Sequence, residues 1–399
     1  MSKRIFITGI GIISGIGNNV EETLESIRIG KSGVGKITHL ETFHKDTIPV
    51  SEVKYTNEEL ITLLGLNNSE PYTRATLMGI MAAAEAVKSA GITNMSDKRT
   101  GVISGTTVGG MDKSEQFYHD FLTEGKHIKY IESHDCGDST ERIADYIKVK
   151  DFVSTTSTAC SSAANSIMFG ARLIKNNRLD RVIAGGTESL TKYHLNGFNT
   201  LMILDRELCK PFDENRKGLN LGEGAAFVVL ESEDIVRETG KKVFCELTGY
   251  GNACEAFHQT ASTPEGKGAY LAMKKALDRS GLKPEQIDYI NAHGTGTENN
   301  DISEGRAIQN LFGENPPRVS STKSFTGHTT SAAGGIEAVL SVLAIQHNII
   351  YPNMNFHQQM KELSYKPVTH LMENVKVDHV LSNSFGFGGN NSALIFSRV

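Results

Sequence analysis

The segment FVSTTSTACSSAANSIMFGARLIK, residues 152–175, decides the fold, because a β-branched run leads directly into an apolar helix. Residues 152–155 have the composition of a buried strand. The apolar residues that follow recur at three- and four-residue spacing, namely Ala164, Ile167, Met168, Ala171 and Ile174. This spacing predicts a core-packed helix over 161–175. A strand followed at once by a helix is the repeating unit of an α/β protein.

The same alternation of strands and helices continues on both sides of this segment. Further strands are predicted at 4–8, 101–104, 181–184, 227–230, 243–247, 289–292, 319–321, 379–382 and 393–396. Further helices are predicted at 20–29, 72–89, 267–280, 302–311 and 334–346. The sequence therefore predicts an α/β protein with a largely parallel, buried sheet.

The order of these elements repeats faintly in the second part of the chain. RIFITGIG at 4–11 resembles VFCELTGYG at 243–251, and VISGTT at 102–107 resembles INAHGT at 290–295. The repeat predicts two similar halves, residues 1–240 and 241–399. No Pro- or Ser-rich linker separates them, so we expect tight docking and interpret the charged run 231–240 as a connection.

Composition excludes several classes of protein. The 399-residue chain carries 41 Lys and Arg against 46 Asp and Glu, a net charge of -5 that disfavours nucleic acid as a partner. The glycines at 9, 11 and 15 miss the dinucleotide-binding spacing because Ser14 stands where a glycine is needed. No stretch is long and apolar enough to span a membrane.

The five cysteines are odd in number and contain no CxxC pair. They are interpreted as free thiols of a cytoplasmic protein, and no metal or cofactor is expected. Cys160 differs from the others because a helix begins beside it, where unsatisfied N–H groups and the helix dipole favour a thiolate. The alternative is a buried, inert cysteine, the commoner situation for a single thiol.

Two histidines and a charged pair lie in small-residue segments of the second half. His293 ends a predicted strand before a glycine-rich loop, and His328 precedes a predicted helix. Lys323 and Glu337 flank His328 and would tune its proton affinity if both are buried. The alternatives are a turn-capping histidine and two solvated surface charges.

Residues 386–391, GFGGNN, follow a predicted strand. The glycines leave Phe387 on a pliable loop, where its N–H would join that of Cys160 in stabilising an oxyanion. A plain glycine hairpin is the alternative.

Four motifs stand in order along the chain: STACSS around Cys160, AHGTGT around His293, STKSFTGH ending at His328, and NSFGFGGN around Phe387. Together they resemble the motif set of the elongating 3-oxoacyl-(acyl-carrier-protein) synthases, condensing acyltransferases of the thiolase-like superfamily. The resemblance implies a thiolase-like fold, in which two similar halves form a five-layered αβαβα sandwich. It covers nearly the whole chain.

The resemblance also implies a reaction and its participants. Cys160 would take an acyl group, and His293 and His328 would hydrogen-bond the malonyl thioester oxygen while CO2 is lost, in fatty acid or related polyene or polyketide synthesis. The implied partners are an acyl carrier protein with phosphopantetheine-linked acyl and malonyl groups, and an identical or related second subunit. The remaining implied site residues are Lys323 and Glu337 as supports of the site, Phe387 as the gate, Val108, Ala159, Thr295 and Thr297 as substrate contacts, and Lys210 as the carrier-protein contact.

Three competing functions are weighed against this one. A degradative thiolase needs a second cysteine near its C-terminus, and the last cysteine here is Cys254. A non-catalytic partner subunit would have lost the nucleophile. A Cys-His hydrolase remains open from the residue types alone, and it predicts thioester hydrolysis without condensation.

Overall fold

The computed structural model describes residues 3–399, and its strands and helices have the following bounds. The strands are β1 Ile5–Ser14, β2 Val34–Gly35, β3 Val50–Ser51, β4 Thr100–Gly105, β5 Phe152–Thr156, β6 Arg181–Glu188, β7 Gly224–Ser232, β8 Cys245–Cys254, β9 Tyr289–Asn291, β10 Arg318–Ser320, β11 His379–Gly386 and β12 Asn390–Ser397. The helices are α1 Val20–Arg28, α2 Asn57–Leu64, α3 Arg74–Ser89, α4 Met111–Leu122, α5 Cys136–Ile147, α6 Ser162–Lys175, α7 Lys192–Thr200, α8 Glu233–Thr239, α9 Lys267–Ser280, α10 Glu298–Phe312, α11 Lys323–Thr326 and α12 Ala333–His347.

The large sheet is built twice from the same strand pattern. Its order is β10-β9-β11-β12-β8-β1-β7-β6-β4-β5, so each half contributes five strands in the same order outward from the central β8–β1 pair. The directions also repeat, because β4 pairs in parallel with β5 and β6 as β9 does with β10 and β11. The remaining neighbours are antiparallel, and the predicted largely parallel sheet was wrong. Strands β7 and β12 were predicted at 227–230 and 393–396, but each runs antiparallel to the strand that precedes it in the chain.

Glycines in β1 and β8 let each of these strands pack closely against the outer helix of its own half. A Cβ at Gly11 would lie 2.1 Å from the Ala82 carbonyl oxygen of α3, and a Cβ at Gly251 would lie 2.1 Å from the Ala272 carbonyl oxygen of α9. Only glycine permits so close a backbone approach. The repeated glycine spacing is therefore a repeated helix-packing contact.

The apolar faces of the helices determine the layers of the fold. Helices α6 and α12 share one core between the two halves, and α12 is buried along almost its whole length. Helices α3 and α5 cover the outer face of the first half, while α9 and α10 cover that of the second. The predicted five-layered αβαβα arrangement is confirmed.

Some elements differ from the prediction. The run 231–240 is the end of β7 followed by α8, rather than a plain connection. Helices α2, α4, α5 and α7 were missed. Helix α4 has no fully buried residue. No helix within residues 3–399 has the length and apolarity to cross a lipid bilayer.

Candidate active site

Cys160 lies in a tight turn between β5 and α6. Ser161 is the N-cap of α6, so the thiol sits one residue outside the helix. Ala159 has φ 51°, a left-handed conformation that costs energy for any residue with a Cβ. Gly386 makes room for this turn, because a Cβ there would lie 3.0 Å from the Cys160 nitrogen. A strained turn thus places Cys160 immediately before the helix.

The protonation state of Cys160 differs from the sequence-based expectation. Burial raises the pKa of the thiol to about 12, although the Lys323 charge and the Phe387 N–H, which donates to the sulfur, both lower it. Loss of hydration therefore outweighs the favourable position at the helix start. The resting group is a neutral thiol, and the expected thiolate was wrong.

His328 approaches Cys160 from the turn between α11 and α12. Its Nε2 lies 3.1 Å from the Cys160 sulfur, and its backbone N–H donates to the Asn220 carbonyl at 2.7 Å. Burial, followed by the charges of Lys323 and His194, holds the pKa of His328 well below 6.5. Among residues 3–399 its Nδ1 has no hydrogen-bond partner, so no second bond fixes the tautomer.

His293 lies at the end of β9, with its ring 5.2 Å from that of His328. The Glu304 carboxylate accepts from the backbone N–H groups of His293 at 2.8 Å and Gly294 at 2.7 Å. Lys323 Nζ donates to Nδ1 at 3.3 Å, because an ammonium group is only a donor. Nε2 therefore carries the proton. Burial is the main reason that the pKa of His293 also lies well below 6.5.

Lys323 and Glu337 form a fully buried ion pair that joins α11 to α12. Burial raises the pKa of Glu337 to about 7, while the Lys323 charge opposes that shift. The alternative of two solvated surface charges is thereby excluded. Lys323 stands between Glu337 and His293 and connects the ion pair to the imidazole.

Phe387 occupies the three-residue turn that joins β11 to β12. Its ring stacks on Phe198 of α7, with centroids 5.7 Å apart, and its N–H points at the Cys160 sulfur. The loop is therefore a hairpin, as the alternative proposed, and it also supplies a donor to the thiol. Phe198 was missed because α7 carries no recognisable motif.

A cavity of about 350 Å³ brings most of the predicted residues together. Its lining includes Cys160, His293, His328, Thr295, Thr297 and Phe387. Val108 and Ala159 do not line it, and Lys210 pairs with Glu207 at 3.1 Å. Lys217 and Met202 do line it, although neither was predicted. No sequence signal distinguishes these two from ordinary surface residues.

A buried thiol beside two neutral imidazoles, at the centre of a duplicated five-layered fold, defines a thiolase-like condensing enzyme. Residues 2–234 match the family described as Beta-ketoacyl synthase, N-terminal domain, and residues 244–357 match Beta-ketoacyl synthase, C-terminal domain. The chain belongs to the beta-ketoacyl synthase family. It is an acyltransferase-class condensing enzyme that elongates acyl chains in fatty acid or polyketide synthesis.

Individual relatives agree with this assignment along the whole chain. The 3-oxoacyl-[acyl-carrier-protein] synthases 2 of Staphylococcus aureus strain N315 and of Coxiella burnetii are each 34% identical, covering 100% of this chain and 99% of theirs. The ishigamide ketosynthase/chain length factor structure has a TM-score of 0.94, with 31% identity and full coverage of both chains. The ketosynthase ApeO in complex with its chain length factor ApeC from Xenorhabdus doucetiae has a TM-score of 0.87, with 30% identity over 100% and 98% of the two chains.

Proposed function

We propose that Cys160 carries the growing acyl group and that His293 and His328 hold the malonyl thioester oxygen during decarboxylation. The observation that carries this proposal is the closeness of the three side chains. His328 Nε2 lies 3.1 Å from the Cys160 sulfur, and the His293 ring lies 5.2 Å from the His328 ring. Both imidazoles are neutral, and a neutral ring can present one N–H to a developing oxyanion.

The first half-reaction is acyl transfer to the thiol. The Cys160 sulfur attacks the carrier thioester carbonyl while its proton passes to His328 Nε2, and the carrier sulfur leaves and takes up that proton from His328. Because the thiol is neutral at rest, this proton transfer is part of the step. The unfixed tautomer of His328 suits it, since the ring accepts a proton here and donates one later.

The second half-reaction forms the carbon–carbon bond. The bond to the malonyl carboxylate breaks, CO2 leaves, and the electron pair develops as an enolate whose oxygen accepts the Nε2–H of His293 and of His328. The enolate carbon attacks the acyl carbonyl on Cys160, and the Phe387 N–H stabilises the resulting oxyanion. Cys160 leaves as a thiolate when the 3-oxoacyl carrier product forms, and it takes up one proton from solvent to return to the neutral thiol.

An acyl carrier protein is the proposed donor of both substrates, which the name of the 34%-identical relatives supports. Lys217 at the cavity and Lys210 nearby offer positive charge to an acidic carrier, and Thr295 and Thr297 offer hydroxyls to the phosphopantetheine arm. Val108 and Ala159 are proposed on the acyl side of Cys160. The acyl chain belongs to fatty acid or to polyene or polyketide synthesis.

A second subunit, identical or a related chain length factor, is the other proposed partner. Strand β5 is an edge strand with no strand beyond it in residues 3–399, and Tyr118, Leu122 and Ile128 are exposed apolar residues in and just after α4. Complexes with chain length factors among the similar structures support this proposal.

The halves 1–240 and 241–399 are proposed as the structural units, and five free cysteines support a cytoplasmic location.

Incubation with acyl- and malonyl-carrier proteins tests the function. We expect CO2 release and a 3-oxoacyl-carrier product, detected by mass spectrometry. Cys160→Gln is the matched control, in which elongation is lost and malonyl decarboxylation continues. Thioester hydrolysis without a 3-oxoacyl product would establish the hydrolase instead, and elongation by Cys160→Gln would remove Cys160 from its role.

A further inference from the structure

Glu188 is a fully buried carboxylate at the end of β6 that none of the steps above uses. Within residues 3–399 no Lys, Arg or His nitrogen lies within 4.0 Å of it. A buried carboxylate without a cation needs hydrogen-bond donors to replace its hydration. Those donors come from two loops of the active site. One loop carries Val108, and the other follows His328.

The first loop follows β4 and carries Val108. Glu188 Oε1 accepts from the Thr106 hydroxyl at 2.9 Å and from the Val108 N–H at 3.3 Å. Oε2 accepts from the Thr107 N–H at 3.0 Å and from the Thr107 hydroxyl. The carboxylate therefore fixes both the backbone and the side chains of the loop on the proposed acyl side of the site.

The second loop follows His328. Glu188 Oε2 accepts from the Thr330 hydroxyl at 3.3 Å and from the Ser331 hydroxyl at 2.5 Å. Thr330 has φ 43°, which is a strained conformation for a β-branched residue. Such a conformation persists only where surrounding contacts hold it, and Glu188 supplies one of them. The strained residue lies two positions after His328.

We propose that Glu188 is a positioning residue that ties the Val108 loop to the turn carrying His328. This inference rests on the proposed function, because it assumes that His328 acts on the substrate. By itself the carboxylate contacts no reacting atom. It sets where the imidazole stands relative to the acyl side of the cavity.

The second half of the chain holds its own loop in a similar way. Glu304 accepts the N–H groups of His293 and Gly294, just as Glu188 accepts those of Thr107 and Val108 after the equivalent strand. Glu188 differs because it also reaches across to the turn after His328. A link between loops, rather than support for one loop, is therefore its distinguishing feature.

Glu188→Gln is the first test, because the amide keeps the shape but presents a donor to groups that are already donors. We expect elongation to fall on the order of tenfold to a hundredfold. We also expect a changed distribution of acyl chain lengths and a changed ratio of elongation to malonyl decarboxylation. Glu231→Gln is the matched control: Glu231 is equally buried but pairs with Arg181 and Lys241, so its loss lowers stability while product lengths and that ratio stay unchanged.

Milder variants keep the test decisive if Glu188→Gln does not fold. Ser331→Ala removes one donor, and we expect a smaller change in the same two readouts. Adding Thr330→Gly to Glu188→Gln should restore much of the elongation rate, because glycine adopts the required φ without strain. Failure of that rescue would overturn the link through Thr330.

The outcomes separate this inference from the proposed function. If the unmodified enzyme forms no 3-oxoacyl product, the proposed function fails. If it does form product, and both Glu188→Gln and Ser331→Ala match it in rate, chain length and decarboxylation ratio, the positioning role of Glu188 alone is refuted.

Discussion

Replacing Lys323 with methionine separates two roles of that lysine. The side chain is 2% exposed, and its Nζ contacts the Glu337 carboxylate and, at 3.3 Å, His293 Nδ1. Methionine has a similar length and no donor, so Lys323→Met removes the ion pair and the tautomer control without opening a large cavity. We expect loss of both stability and malonyl decarboxylation.

The magnitudes follow from those two contacts. Removing one partner of a buried ion pair costs up to about 3–5 kcal/mol of unfolding free energy, and this full cost applies at a pH where Glu337 is charged and unpaired. Losing one preorganised oxyanion donor costs on the order of 10² to 10³ in kcat, here because the His293 Nε2–H is no longer guaranteed.

The pH dependence of Lys323→Met has a defined sign. Lys323 lowers the pKa of Glu337, which burial has raised to about 7, so the variant raises it further above the value in the unfolded chain. A raised pKa in the folded state means that stability is greatest at low pH and is lost as pH rises through that pKa. Denaturant unfolding at several pH values should therefore show the largest deficit above neutrality.

The double variant Lys323→Met with Glu337→Met distinguishes the roles. Apolar replacement of a whole buried ion pair is close to neutral or stabilising, so unfolding should return towards that of the unmodified enzyme. Decarboxylation of malonyl-carrier protein should stay low, because His293 Nδ1 still lacks its donor. A double variant that decarboxylates at the unmodified rate would refute the tautomer reasoning.

Three further predictions concern the thiol, the gate and the packing. Alkylation of Cys160, followed on its peptide by mass spectrometry, should accelerate about tenfold per pH unit below its raised pKa, and a flat profile would contradict the neutral thiol. Phe387→Ala removes the ring stacked on Phe198, so hydrolysis of the acyl-enzyme should rise relative to condensation; an unchanged partition would exclude a gating role. Gly11→Ala should lose about 1–3 kcal/mol by urea unfolding, because the new Cβ would lie 2.1 Å from a carbonyl oxygen of α3. Gly35→Ala, with nothing within 4 Å, should lose less than about 0.5 kcal/mol, and equal losses would refute the packing argument.

The fold was predictable where apolar periodicity is strong. Helix α6 starts within one residue of its predicted position, and the glycine echo of β1 and β8 marks a real duplication. Strand directions were not predictable in the same way, because the β6–β7 connection contains a long excursion whose course depends on tertiary packing. Helix α4 was missed although Phe117 and Phe121 have the spacing of one helix face.

The sequence predicted which residues form the site, but it did not predict the protonation state of Cys160. Cys160, His293, His328 and Phe387 were identified from motifs, and they share one cavity. The thiol pKa was predicted in the wrong direction because sequence gives the position of a helix start but not the degree of burial. Glu188 was missed because an isolated glutamate in a strand has no motif.

The duplication explains why the proposed mechanism needs both halves. Cys160 follows β5, and His328 follows β10, which is the equivalent strand of the second half. Each half alone therefore presents either a thiol or an imidazole at the same topological position. The central β8–β1 pair and the α6–α12 layer bring these two positions within 3.1 Å of each other. In the proposed function, this asymmetry between the halves, with a nucleophile in one and hydrogen-bond donors in the other, makes the repeated fold a condensing site.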